Sequence, residues 1–141
     1  MLYPERPKIK LQLTASDKII EIIGWCIVIA MWGIVVSTYS GLPGRIPVHY
    51  NSVGQVDAYG NKLTVWVLLI IGSVIYAGLF ILSKITHVFS YPTKITQENA
   101  LSQYTTYTKM LRYVNLIIII IICFLVIQTV KTALGNTLLC V

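Results

Sequence analysis

Three stretches of this 141-residue chain, residues 22–44, 63–83 and 113–130, contain no charged residue, and they constrain the architecture more than any other feature. A helix rises about 1.5 Å per residue, so about 20 residues match a hydrocarbon core about 30 Å thick. Each run is long enough to span it. Residues 117–122 are six consecutive isoleucines, a run with no polar face, which suits lipid or the inside of a bundle. Composition agrees, with 56% hydrophobic and 11% charged residues against about 25% charged in soluble domains. The reading is an all-α membrane protein with three transmembrane helices near residues 19–40, 63–83 and 113–134, Lys131 snorkelling from the last. They form a single membrane domain, 19–134, between an N-terminal segment, 1–18, and a tail, 135–141. The first apolar run exceeds the 7–15 residues or so of a signal peptide and is read as a retained helix.

The cations orient the spans. Arg6, Lys8, Lys10 and Lys18 precede the first helix, and Lys84, Lys94, Lys109 and Arg112 lie between the second and third. Arg45, Lys62 and Lys131 fall in the other segments, a split of eight against three. The positive-inside rule then puts the N-terminus and the 84–112 connection in the cytoplasm, and the 41–62 loop and the C-terminus outside. The net charge of +6 forms no basic stripe with interleaved aromatics, which argues against nucleic acid. Anionic lipid head groups are the expected counter-charge. Trp66 sits at an interfacial depth, whereas Trp25 and Trp32 lie deeper and are expected to pack. Glu21, one turn inside the first span, is expected to reach water or to pair with Lys18 at i,i+3. Gly33 with Ser37, and Ser73 with Ala77, are small residues four apart that allow close helix approach, within the chain or in a homo-oligomer. Cys26, Cys123 and Cys140 have no metal or redox spacing; the first two read as apolar filler, and Cys140 is free to pair between chains.

The two connections differ in kind. In the cytoplasmic one, Ser90-Tyr91-Pro92 breaks the chain, and Thr96 is an N-cap with Glu98 in the following turn. Ala100, Tyr104, Tyr107 and Leu111 then recur at spacings of four, three and four, an amphipathic stripe. It belongs to a helix at the inner interface, or to one continuing into the third span. The competing use is a docking face for a cytoplasmic partner, formed by Glu98, Tyr104 and Tyr107. His87 has no ligand-like neighbour and reads as interfacial.

The outward connection carries the densest polar constellation. Pro43 and Pro47 favour an extended path. Asn51–Gly54 and Asp57–Gly60 each place a side-chain acceptor first and glycine fourth, which suits two successive type I turns. An extended stretch sets His49 and Asn51 on one side, and the turn at Gly54 can return Asp57 toward them. These residues either form an Asp-oriented histidine or serve as caps within the turns. One histidine and one carboxylate fall short of a zinc site, so no metal or other cofactor is expected.

The pattern formed by Leu42, Pro43, Ile46, Pro47, His49, Asn51, Gly54, Asp57, Gly60 and Lys62, set between two spanning helices, resembles a bacterial membrane domain of unknown function. That domain also forms the N-terminal part of Sdp-type immunity proteins, which protect cells from their own secreted antimicrobial peptide and help signal its presence. Tyr91, Pro92, Ile95, Thr96, Glu98, Asn99, Ala100, Gln103 and Tyr104 also look like the short members of the family. The immunity proteins carry further spanning helices after this domain, whereas three are expected here. The resemblance implies a bacterial cytoplasmic membrane, with His49, Asn51, Gly54 and Asp57 as the marked positions and Pro43, Pro47 and Gly60 shaping the loop. The reading from sequence is a non-enzymatic module whose outward loop recognises a peptide, lipid or partner protein. The alternative is a hydrolase-like membrane-surface enzyme, with or without a metal, using His49 and Asp57, which lacks a nucleophile with any motif context.

Overall fold

Helix α1 (Ala15–Thr38) starts where the sequence supplies a cap. Asp17 N–H donates to Thr14 Oγ1 at 3.3 Å, and Thr14 N–H donates to Asp17 Oδ2 at 2.9 Å. This reciprocal box satisfies backbone donors that a helix start leaves open. After α1 come strands β1 (Arg45–Tyr50) and β2 (Val56–Asn61), helix α2 (Thr64–Leu82), a 3₁₀ turn at Thr86–Val88 and helix α3 (Ala100–Leu138). This computed structural model describes residues 6–138; Cys140 lies outside them. The three helices are long and apolar enough to cross a membrane, the arrangement of a small multi-pass membrane protein.

Each helix buries one narrow stripe. On α1 it is Gly24, Val28, Met31 and Val35; on α2, Val65, Leu69, Gly72 and Tyr76; on α3, Asn115, Ile119, Ile122 and Val126. All three sets are spaced four, three and four, the seam of helices crossing at a shallow left-handed angle. The remaining faces are equally apolar yet exposed, with Ile29 at 68% and Val74 at 64%. Hydropathy along the sequence therefore cannot separate seam from lipid face.

The closest approaches occur at two glycines in these stripes. A Cβ at Gly24 would lie 2.1 Å from the Tyr76 hydroxyl, and one at Gly72 would lie 2.7 Å from Ile122 Cγ2. Gly33, expected to serve this purpose, has nothing within 4 Å of its Cβ position. Ser73 is used differently from the expectation: its hydroxyl accepts from Trp32 Nε1 at 3.0 Å and donates to the Leu69 carbonyl.

One feature departs from the sequence reading, and one of its open alternatives is decided. The 41–62 connection is not a coil closed by two turns but an antiparallel β-hairpin, so the domain is not strictly all-α. Of the two paths open to the amphipathic stretch, a separate helix before the third span or one continuing into it, the chain takes the second. The stretch is the first part of α3, whose 39 residues reach about 58 Å, nearly twice a hydrocarbon core. The cause is local, since residues 100–112 contain neither proline nor glycine. The start is set by Thr96 and Asn99, each side chain accepting the other's backbone N–H.

Substituting Gly24 by Val should lower stability by about 1–3 kcal/mol through overpacking against Tyr76. The same change at Gly33 should be close to neutral. Thermal or denaturant midpoints of the two variants in one detergent would test this, and equal losses would contradict the assignment of the seam.

Candidate functional site

The hairpin is anchored at its base and open at its tip. Ile46 is 1% exposed and, with Leu42, joins the core cluster that holds Val130 and Ala133 of α3. Pro47 is also buried. Lys62 N–H donates to the Gly44 carbonyl at 3.1 Å, and the Leu63 N–H donates to Asn61 Oδ1 at 2.9 Å, tying the hairpin to the start of α2. At the tip, Gly54 N–H donates to the Asn51 carbonyl at 2.9 Å, while Asn51 Oδ1 accepts from Val53 and Gln55 N–H. Gly54 has φ +80°, the left-handed conformation that favours glycine. The first expected turn is thus present.

The second is not. Asp57 to Gly60 lie within β2, and Gly60 serves close approach: a Cβ there would sit 2.7 Å from Val48 Cγ1. The strand register explains the crowding. Pro47 pairs with Tyr59, His49 with Ala58 and Tyr50 with Val56, leaving Val48 extra on β1 and Asp57 extra on β2. Such bulges re-aim side chains.

Asp57 meets His49 here. His49 Nδ1 and Asp57 Oδ1 are 2.5 Å apart, with the side chains 67% and 41% exposed. The carboxylate can only accept, so Nδ1–H is the donor. Asn51 does not join them, because its side-chain oxygen closes the turn. An exposed pair of this kind contributes about 0–1 kcal/mol to stability. It supplies two metal ligands where zinc sites take at least three from protein. Among the described residues no group of three or more His, Cys, Asp and Glu could hold a metal. The geometry can orient an imidazole toward a bound partner at the surface.

The expected cytoplasmic docking face is covered by the chain itself. Tyr104 is fully buried, and Tyr91, Ala100 and Tyr104 form a cluster on which Ile9, Leu11 and Tyr107 pack. Arg6 Nη1 donates to the Phe89 and His87 carbonyls, and its guanidinium lies 5.7 Å from the Tyr91 ring centroid. The physical reason is that Ile9 and Leu11 of the N-terminal segment bury their own apolar surface against the stripe. Glu98 remains exposed in the turn before α3. Burial, then the neighbouring Tyr104, push the Tyr91 hydroxyl up to about 12; it donates to the Thr86 carbonyl at 2.8 Å.

Sequence reasoning missed a charged cluster at the bundle end opposite the hairpin. Glu21 does not pair with Lys18 at i,i+3. Its Oε1 accepts from Arg112 Nε at 2.9 Å and from Lys84 Nζ at 2.6 Å, while Arg112 Nη1 lies 3.8 Å from Asp17 Oδ1. The Arg112 and Asp17 side chains are 5% and 7% exposed. The available signal was positional: Glu21, Lys84 and Arg112 each directly adjoin one of the three uncharged runs. An up-down-up path brings those three boundaries to the same end.

Residues 26–72, a third of the chain, match the family described as a domain of unknown function (DUF1648). The match covers the second half of α1, the whole hairpin with His49, Asn51, Gly54 and Asp57, and the first part of α2. No curated protein and no solved structure matches the chain.

Replacing Arg112 by Ala removes the cation beside buried Asp17 and one of the two on Glu21, leaving Lys84 on Glu21 and Thr14 on Asp17, and should cost about 1–3 kcal/mol. The double change Arg112→Leu with Glu21→Leu should recover most of that, as read by denaturant unfolding in detergent. Tyr91 gives a pH dependence of definite sign. Its raised folded value means that its contribution is complete below pH 10 and falls away as pH rises toward about 12. Alkaline unfolding followed by circular dichroism should show this loss in the wild type, and a smaller loss over that interval in Tyr91→Phe.

Proposed function

We propose that the protein is a non-enzymatic membrane module that captures an extended peptide along the outer edge of β2, on the outer side of a bacterial cytoplasmic membrane. The observation that carries this reading is a two-stranded hairpin with one strand fixed to the bundle and the other standing out. In β1, Ile46 and Pro47 are buried; in β2, Asp57, Ala58 and Tyr59 are all exposed. Among the described residues no third strand lies beside that edge, and such an edge is a template for strand addition by a peptide.

Sequence favours β2 over β1 for this role. Pro47 removes a backbone donor from β1, whereas β2 contains no proline. Peptide side chains on such a strand would meet the His49–Asp57 pair and, near the tip, Val53, which is 75% exposed. The pair supplies polar specificity and the valine an apolar contact. Recognition of a secreted peptide also accords with the immunity proteins that the loop resembles.

A photoreactive benzoylphenylalanine placed at Ala58 tests the proposal in living cells, with the same group at lipid-facing Ile29 as control. Peptide or protein adducts at Ala58 are expected, with reduced yield when Asp57→Ala is added. Lipid adducts alone at both positions would overturn it.

A further inference from the structure

The cleft beside the charged cluster contains a polar atom whose needs the chain does not meet. Asn115 is 5% exposed, and its Nδ2 donates to the Tyr76 carbonyl at 3.1 Å. That bond fixes the amide orientation, because the flipped rotamer would set two oxygens against each other. Its Oδ1 is buried and has no hydrogen-bond partner among the described residues. In a low-dielectric bundle an unsatisfied acceptor costs about 1–3 kcal/mol, so a donor is expected at this point.

Asn115 lines a narrow cleft with Glu21, Tyr76, Ser83 and Arg112. The volume open to a small molecule is about 10 Å³, the space of a single water, which needs roughly 10–15 Å³. A phosphate and an ammonium head group are both too large for the space. We propose that the cleft holds one ordered water that donates to Asn115 Oδ1 and is shared with the polar groups of Glu21 and Ser83. The water is then a strut linking α3 to α1 and to the end of α2, beside the direct bonds of Tyr76.

Infrared difference spectra of the full-length protein in lipid nanodiscs, taken in ordinary and heavy-oxygen water, read this directly. A buried-water O–H stretch that shifts to lower frequency is expected, lost in Asn115→Leu and retained in Gln128→Leu, an exposed position on the same helix. Survival of the band in a folded Asn115→Leu variant would overturn the proposal. The wild type alone provides a second test that does not depend on the variant folding. Magnetisation transfer from a slowly exchanging water to the Asn115 side-chain amide is expected, and its absence would equally overturn the proposal.

Discussion

The ion pair between Glu21 and Arg112 fixes the relative height of the helices, and the rest of the bundle follows from that height. Glu21 ends the polar start of α1, Arg112 ends the polar part of α3, and Lys84 follows α2 after a single residue. Sliding one helix by a turn, about 5.4 Å, would draw a charge into apolar surroundings or separate it from its partner. Either outcome costs several kcal/mol, more than the seam contacts of one turn return. With the heights set, Tyr76 crosses to α1 over Gly24 and donates to the Glu21 carbonyl at 3.1 Å. The four-three-four stripes then fall opposite one another.

The spans were legible because charge is so scarce that its absence marks them. The face each helix buries was not, because Val28 and Ile29 are equally apolar although one lies in the seam and the other outside it. Gly24 and Gly72 are no more conspicuous in the sequence than Gly33. They differ only in what stands opposite, which is a tertiary fact. The continuity of α3 was open to inference, since nothing between Ala100 and Arg112 breaks a helix. Periodicity identified the stripe but could not say that the N-terminal segment of the same chain would cover it.

The hairpin shows where local pattern fails. Asn51–Gly54 and Asp57–Gly60 share an acceptor-x-x-glycine spacing, yet only the first is a turn. At Asn51 the side chain captures two backbone donors and Gly54 takes a positive φ, so the local interactions suffice. At Asp57 the competing interaction is the ladder with β1, which uses the backbone for strand pairing. Gly60 is then required by Val48 across the strands rather than by its own φ. Convergence of His49 with Asp57 was inferable from one turn at Gly54; the exclusion of Asn51 was not, because its role in that turn competes with any other.

The two ends of the molecule differ in how firmly their polar groups are committed, which supports the proposal that recognition belongs to the hairpin. At the charged end, the buried Arg112 and Asp17 are costly to remove, about 1–3 kcal/mol, and the N-terminal segment covers the adjoining tyrosines. A partner binding there would have to displace interactions already made within the chain. At the hairpin, the exposed His49–Asp57 pair is worth about 0–1 kcal/mol, so a bound peptide can redirect it at little cost. The buried base formed by Leu42, Ile46 and Pro47 keeps the strands in place while that happens. An adaptable surface on a fixed base is what binding at modest entropic cost requires.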